Sequence, residues 1–192
     1  MGAWDDEGVT RIVAGAAGGR RLKVPPKGTR PTSERVREAL FSSLEAMMDL
    51  DGARVLDLYA GSGALGFEAL SRGAEHATFV ESDKRAVEVL KSNAKDLGLA
   101  NVTVVNRTAE AFVAGEGEEF DVVFADPPYA VGDEELAKVL AGVAPRLAGD
   151  AVLVVERASR SAEPPWPGGV EPLRAKKYGD TTVYWGRVRA DG

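Results

Sequence analysis

At 192 residues, with 44% hydrophobic and 28% charged side chains, the chain has the length and composition of one soluble globular domain. It contains no cysteine and a single histidine, His76, which excludes a disulfide framework, a zinc-thiolate site and a cysteine nucleophile. No apolar run has the ~18–20 residues that cross a bilayer, and the N-terminus lacks the pattern of a secretory signal. We therefore expect a cytoplasmic monomer without a metal centre or a membrane partner.

The net charge of -6 is unevenly distributed along the chain. Residues 10–37 carry eight basic side chains against one acid, Glu34, which gives +7 and leaves -13 for the rest of the chain. A basic segment on an acidic body is typical of a protein that meets phosphates on one face. The alternative is a solvated basic segment without a partner.

The first predicted elements are a short hairpin and a helix. Residues 12–14 and 22–24 are predicted as strands joined by the glycine-rich turn 15–19. An amphipathic helix is predicted over residues 32–48, with Thr32 or Ser33 as its N-cap. Its apolar stripe contains Val36, Leu40, Leu44 and Met47. Arg35 and Arg37 lie off this stripe, so packing gives them no role.

From residue 54 onward, short apolar runs alternate with helical segments. Strands are predicted at residues 55–59, 79–80 with their flanks, 102–105, 122–125 and 151–155, and helical periodicity occurs between them, as in residues 83–97. This alternation predicts a doubly wound α/β fold, because parallel strands need crossover connections. Residues 170–173 and 182–188 are predicted as two strands without a helix between them, which indicates an antiparallel terminal hairpin.

The first of these strands runs into Asp57-Leu58-Tyr59-Ala60-Gly61-Ser62-Gly63, directly before a helix predicted over residues 64–71. The glycines permit a tight turn and close approach of a ligand to the backbone. With Gly66 the segment also matches G-x-G-x-x-G, so a dinucleotide-binding fold is an alternative. Glu81, at the end of the second strand, can accept hydrogen bonds from ribose hydroxyls in either case. These residues predict an adenosine-containing ligand without identifying it.

The fourth strand ends at Asp126-Pro127-Pro128-Tyr129, on the sheet edge where ligands bind in open α/β folds. The prolines fix the backbone so that a carbonyl and the Asp126 carboxylate form an acceptor pair for an –NH2 group. Tyr129 offers a flat surface on which an extruded base can stack. Holding both amine hydrogens directs the nitrogen lone pair at a methyl donor, so catalysis is by positioning and electrostatics. The alternative is an ordinary turn after a buried strand.

These motifs resemble those of class I amino-methyltransferases. The resemblance implies S-adenosylmethionine as the cofactor and a Rossmann-like, mostly parallel seven-stranded sheet whose last strand is antiparallel, preceded here by the short hairpin and helix. A narrower match comes from residues 30–41, Arg-Pro-Thr-Ser-Glu-Arg-Val-Arg-Glu-Ala-Leu-Phe, and residues 177–181, Lys-Tyr-Gly-Asp-Thr. These segments are similar to the bacterial 16S ribosomal RNA guanine-N2 methyltransferases, the family named for guanine 966. The match runs from about Arg11 to Val188.

The resemblance implies the roles of individual residues. Catalytic roles fall on Asp126, Pro127, Pro128 and Tyr129. Cofactor contacts are expected for Asp57, Tyr59, Ala60, Gly61, Ser62, Gly63, Glu81, Ser82, Thr108, Ala109 and Asp126. RNA contacts are expected for Arg20, Arg21, Arg30, Thr32, Arg35 and Arg37. The implied partner is 16S ribosomal RNA within a small-subunit particle.

The chain is expected to form one compact unit of two parts. Residues 10–50 form the basic hairpin-and-helix extension, and residues 51–189 form the catalytic domain. Residues 1–9 are expected to be a flexible N-terminus or a cloning remnant. Three alternatives stay open: a DNA adenine or protein glutamine amino-methyltransferase, an NAD-dependent oxidoreductase, and a non-catalytic RNA-binding module.

Overall fold

The computed structural model describes residues 8–25 and 32–190. Strands β1 (Val9–Arg11) and β2 (Arg21–Lys23) form an antiparallel hairpin, and helix α1 (Glu34–Met47) follows. The Ser33 side chain accepts a hydrogen bond from the Val36 N–H and caps this helix, which confirms one of the two predicted caps. Most of the predicted flexible N-terminus lies outside the described residues, although Val9 belongs to β1.

The hairpin strands differ from the predicted residues 12–14 and 22–24. The N–H groups of Val13 and Ala14 donate to the Glu68 carboxylate at 2.8 and 3.2 Å, so they are not available to a strand partner. Ile12 is buried in the core next to Leu22. The apolar pattern therefore predicted a buried segment correctly. Backbone hydrogen bonds across the hairpin continue through Ile12 and stop there, because the Glu68 side chain accepts the next two N–H groups.

The rest of the described chain alternates strands and helices. These elements are β3 (Arg54–Leu58), α2 (Ala64–Ser71), β4 (His76–Val80), α3 (Lys84–Leu97), β5 (Val102–Val105), α4 (Ala109–Val113), β6 (Phe120–Ala125), α5 (Asp133–Val143), β7 (Leu147–Ala158), β8 (Val170–Tyr178) and β9 (Thr181–Val188). Across the described ranges the large sheet has seven strands in the order β5-β4-β3-β6-β7-β9-β8. Strands β3 to β7 are parallel, and β9 is antiparallel to both of its neighbours. The predicted α/β sheet with an antiparallel last strand is confirmed.

The strand order reverses between β3 and β6, which places two loops side by side. Leu58 of β3 pairs with Ala125 of β6, so the loops that follow these strands leave the sheet together. Ala125 pairs in turn with Val155 of β7, so residues 126 and 156 are neighbours at the same edge. Ligands bind at this kind of switch point in open α/β sheets.

Each face of the sheet has its own buried core. The hairpin, α1, α2 and α3 cover one face, and α4 and α5 cover the other. Ile12 and Leu22 of the N-terminal segment share a core cluster with Phe41 of α1 and Val55 of β3. The extension therefore packs as part of the domain. No helix in residues 8–25 or 32–190 has both the length and the apolar character needed to cross a membrane.

Candidate active site

A cavity of about 330 Å³ lies at the carboxyl edge of the sheet. Its size is within the ~300–1,000 Å³ typical of small-molecule sites. The N-terminal segment closes one side through Val24, Pro25 and Thr32. The loops after β3, β4, β5 and β6 supply Tyr59, Ala60, Gly61, Ser62, Glu81, Ser82, Asp83, Arg107, Thr108, Ala109, Asp126 and Pro128. The structure thus brings most of the predicted cofactor residues to one wall.

The loop after β3 is tightly constrained. Tyr59 has a φ of 58°, a conformation that is uncommon for a residue with a side chain. Gly63 caps α2 with a φ of 82°, and a Cβ at this position would lie 2.6 Å from the side chains of Leu90 and Phe67. Backbone strain of this kind costs about 1–3 kcal/mol and is retained mainly at functional sites. Gly63 is buried beneath the wall, and Tyr59 faces the cavity.

Asp57 supports this loop from below. It is 2% exposed, and its Oδ2 accepts a hydrogen bond from the Gly66 N–H at 3.0 Å, which ties β3 to α2. Burial raises the pKa of Asp57 well above its ordinary value, and the Gly66 hydrogen bond opposes this. Gly66 is required for packing, because a Cβ there would lie 2.3 Å from the Phe79 ring. Asp57 therefore holds the loop in addition to lining the cavity.

Glu81 connects the loops after β3 and β4. Its two carboxylate oxygens accept hydrogen bonds from the N–H groups of Gly61 at 2.9 Å and of Asp83 at 2.8 Å. An ionised carboxylate has about four acceptor positions, so Glu81 retains capacity for ribose hydroxyls. Its position at the cavity agrees with the predicted role, and the ribose contact itself stays a prediction.

The chemistry of the wall suits a cationic adenosine ligand. The described residues of the wall include five carboxyl groups, those of Asp57, Glu81, Asp83, Asp126 and Glu135, against one guanidinium, that of Arg107. The Tyr59 hydroxyl is buried and has no hydrogen-bond partner among the described residues. Burial raises the pKa of Tyr59, and the negative charges of Glu135 and Glu110 raise it further. An unpartnered buried hydroxyl at a cavity wall fits a ligand that completes its hydrogen bonding.

A second carboxyl group lies beside the predicted catalytic residue Asp126. Asp126 follows β6 and is half-buried, and the pairing of Ala125 with Val155 places it beside Glu156 of β7, which is 4% exposed. Burial raises the pKa of Asp126 well above its ordinary value, and the negative charges of Glu156 and Asp57 add to this. Sequence reasoning missed Glu156. A lone acid at the end of the apolar run of residues 151–155 was the signal that could have found it.

The aromatic ring of the catalytic motif lies on the solvent side. Tyr129 is 79% exposed, and the Arg160 guanidinium lies 5.6 Å from its ring centroid. Pro127 is half-buried, and Pro128 lines the cavity. The ring is therefore exposed, and its stacking on a base stays a prediction. No sequence pattern pointed to Arg160.

The predicted RNA-binding residues are found in different environments. Arg20, Arg21 and Arg35 are exposed, although Arg20 also donates to the Asp96 carbonyl at 2.6 Å. Arg30 lies outside the described residues. The Thr32 hydroxyl donates to the Glu156 carboxylate at 3.0 and 3.1 Å, so its structural partner is this acid in place of the expected RNA phosphate.

Arg37 is fully buried, and the expectation that it contacts RNA is wrong. Its Nε lies 3.3 Å from Glu68 Oε1, and both side chains are 0% exposed. Its remaining nitrogens donate to the Thr32 and Arg11 carbonyls and the Thr10 hydroxyl. Burial lowers the pKa of Arg37, and the charge of Glu68 opposes this. The partners of Arg37 come from other elements, which the periodicity of its own helix does not reveal.

Comparisons with known proteins identify the family. The model of the family described as Conserved hypothetical protein 95 matches residues 10–187. Ribosomal RNA small subunit methyltransferase D of Escherichia coli is 40% identical over 186 residues, which cover 96% of this chain and 93% of that protein. The solved structure of the E. coli protein yhhF has a TM-score of 0.85 at 35% identity, and the match covers 96% of this chain and 100% of that one.

A more distant structure supports the fold. Magnesium protoporphyrin IX methyltransferase from Synechocystis, solved with bound SAM, has a TM-score of 0.65 at 15% identity over 81% of this chain and 79% of that one. At this identity the likeness shows the fold alone, which is the class I methyltransferase fold. The matching residues and motifs make the chain a member of the Conserved hypothetical protein 95 family, which includes ribosomal RNA methyltransferases.

Proposed function

We propose that this chain methylates the exocyclic N2 amine of a guanine in 16S ribosomal RNA, at position 966 by resemblance to the family named for it. The observation that carries this proposal is the position of Asp126, which follows β6 beside the glycine loop of β3 at one cavity. Tyr129 lies three residues further on and is exposed. The name of the E. coli relative supports ribosomal RNA as the substrate class.

The cofactor of this reaction is S-adenosylmethionine, and the cavity residues fit it. Residues 59–63 would lie beneath its methionine part, Glu81 would bind the ribose, and Thr108 and Ala109 would lie beside the adenine. Ser82 lines the same wall. When bound, the sulfonium supplies an electrophilic methyl carbon, so that the amine lone pair forms the N–C bond while the C–S electron pair goes to sulfur. The acidic wall favours such a cation.

The residues after β6 would position the target amine. The Asp126 carboxylate and the Pro127 carbonyl accept the two hydrogens of the amino group, and this directs its lone pair into the cavity. Tyr129 stacks on the extruded base, which offsets part of the few kcal/mol that extrusion costs. Together these contacts lower the barrier by positioning and electrostatics.

The exposed basic residues would hold the RNA backbone. Arg20, Arg21 and Arg35 are exposed on the N-terminal extension, which also borders the cavity through Val24 and Pro25. The Arg160 guanidinium lies over the Tyr129 ring and would contact the nucleotide next to the target. Phosphate contacts of this kind orient a protein on RNA without reading its sequence.

The test is tritiated methyl transfer to purified small ribosomal subunits that lack the modification, followed by nucleoside analysis. The expected product is N2-methylguanosine at one site. Double-stranded DNA and a protein mixture serve as parallel substrates, and calorimetric titration compares S-adenosylhomocysteine with NAD. Methyl label in DNA, protein or adenosine, or tighter binding of NAD, would refute the proposal.

A further inference from the structure

Glu156 is a buried acid that the proposed reaction does not yet use. It lies on β7 beside the end of β6 and is 4% exposed. Burying a carboxyl group in this way is costly unless it is hydrogen-bonded. Three groups surround it: the Thr32 hydroxyl, the Asp126 carboxyl group and, further away, the Arg37 guanidinium.

The register of the sheet places Glu156 beside Asp126. Ala125 pairs with Val155, and the next residue of each strand is the acid. The Thr32 hydroxyl approaches Glu156 from the N-terminal extension and donates to both of its oxygens, at 3.0 and 3.1 Å. Two carboxyl groups in contact cannot share a hydrogen bond unless one of them carries a proton.

We propose that Glu156 is a positioning residue for the methyl transfer, which shares one proton with Asp126 and thereby fixes the Asp126 carboxyl group in the orientation that accepts the target amine. The role in methylation rests on the proposed function. The shared proton is a property of the protein alone.

The proton balance of the reaction is consistent with this pair. Before transfer the two carboxyl groups hold one proton and one negative charge. Methylation gives the amine nitrogen a fourth bond and a positive charge, and one of its protons must then leave. Asp126 accepts this proton on the oxygen that faces the amine, while the proton that it shared passes to Glu156, so both carboxyl groups become neutral. A neutral pair is favoured in a buried site, and water at the cavity later accepts the extra proton.

The neighbouring charges determine which acid is ionised. Arg37 of α1 and the Thr32 hydroxyl favour the ionised form of Glu156, whereas the negative charge of Asp57 on β3 disfavours ionisation of Asp126. Burial raises the pKa of both acids of the pair, so one proton remains at higher pH than isolated carboxyl groups would allow. In the ligand-free protein the shared proton therefore resides mainly on Asp126.

The shared proton can be tested without cofactor or RNA. Infrared difference spectroscopy records the C=O stretch of protonated carboxyl groups during a pH titration of the wild-type protein and the Glu156→Gln variant. We expect one protonated group to titrate at lower pH in the variant, by roughly one to three pH units, because Asp126 loses a neighbouring negative charge. Asp57 contributes a second signal in both proteins. Identical titrations of both proteins would overturn the shared proton.

The chain offers a matched control in Glu118. This residue also accepts a hydrogen bond from a threonine, Thr78, at 3.3 Å, but it does not line the cavity. The Glu118→Gln variant therefore makes the same chemical change at a threonine–glutamate pair outside the site. It is expected to keep the infrared titration and the methylation rate of the wild-type protein.

Single-turnover methylation tests the positioning role. Glu156→Gln should lower the rate at saturating RNA by about 10-fold to 100-fold, less than the ~10²–10⁴ lost with a direct acid-base group. The KM for RNA and the affinity for S-adenosylhomocysteine should stay within a few-fold, which a merely structural defect would not spare. An unchanged rate would overturn the proposal. If the wild-type protein methylates no RNA, the proposed function fails, and the infrared titration still decides whether the proton is shared.

Discussion

Asp126 is the single residue whose loss should affect catalysis most. We expect Asp126→Ala to reduce methyl transfer by ~10²–10³, the usual effect of removing one preorganised partner of a reacting group. Affinity for S-adenosylhomocysteine should stay within a few-fold, because Asp126 is one of several expected cofactor contacts and the loop after β3 and Glu81 stay in place. Asp121→Ala is the matched control, since this acid lies on the same strand and accepts a hydrogen bond from the Arg54 N–H at 2.9 Å. Equal single-turnover rates for the Asp126 variant and the wild type would remove Asp126 from the mechanism.

Arg37 gives a prediction about stability at the same scale. Arg37→Ala leaves the buried carboxylate of Glu68 without this partner, and such losses cost about 3–5 kcal/mol of unfolding free energy. Arg35→Ala, two residues earlier and exposed, should change stability by less than about 0.5 kcal/mol. Urea denaturation measures both. Equal midpoints would show that the buried ion pair contributes little.

The residues that sequence reasoning located and those that it missed differ in where their partners lie. Asp126, Tyr129 and Glu81 belong to local motifs at strand ends, where sheet topology alone places them at one edge. Glu156 and Arg37 depend on partners more than 25 residues away, as in the 31-residue separation between Arg37 and Glu68. Composition and periodicity carry no information on such pairs, so the burial of Arg37 was not predictable, and Glu156 could have been found only as a lone acid at the end of an apolar run.

At the scale of elements, the packing of α2 on β4 gives the next prediction. Gly66→Ala would place a Cβ 2.3 Å from the Phe79 ring, so the helix must move. Overpacking of this kind destabilises by about 1–3 kcal/mol. Gly149→Ala in β7 is the control, because nothing lies within 4 Å of its Cβ position. Thermal unfolding should separate the two variants, and a Gly66 variant as stable as the control would contradict the close approach.

The bounds of the elements show how well hydrophobic periodicity predicts helices and strands. The strand at residues 102–105 and the helix at residues 64–71 have the bounds that the sequence predicts. Strand β7 extends four residues before and three after its predicted core. The apolar run does not include the more exposed residues before it or the buried charged residues Glu156 and Arg157 after it. The hairpin was displaced because the Glu68 carboxylate binds two backbone N–H groups. Tertiary hydrogen bonds of this kind override local pattern.

At the scale of the whole molecule, buried acids link stability to pH. Burial raises the pKa of Asp57, Asp126 and Glu156 above ordinary values of 3.8 to 4.5, so the folded chain binds more protons than the unfolded chain above that range. The contribution of these groups to the free energy of unfolding is therefore greatest at low pH. It is lost as the pH rises through their raised pKa values. Asp57→Asn should flatten this decline by up to about 1.4 kcal/mol per pH unit. Denaturation of both proteins between pH 4 and pH 8 measures the free energy of unfolding at each pH. If it falls equally with pH in the wild type and the variant, the raised pKa of Asp57 is contradicted.

The distribution of charge over the molecule gives the last prediction. Residues 10–37 carry +7 against -13 elsewhere, but Arg37 is buried against Glu68, so the surface charge of the segment rests on residues such as Arg20, Arg21 and Arg35. Each phosphate contact contributes close to one unit to the slope of log affinity against log salt. Arg35→Ala should therefore flatten the salt dependence of RNA affinity by about one unit, with the unfolding midpoint unchanged. A variant with Arg20, Arg21 and Arg35 all replaced by Ala should flatten it by about two to three units. Lys138→Ala removes the same charge from α5 and should leave the slope as it is, since this residue lies outside the extension. Equal flattening by Arg35→Ala and Lys138→Ala would mean that RNA responds to net charge and that the extension is not its binding surface.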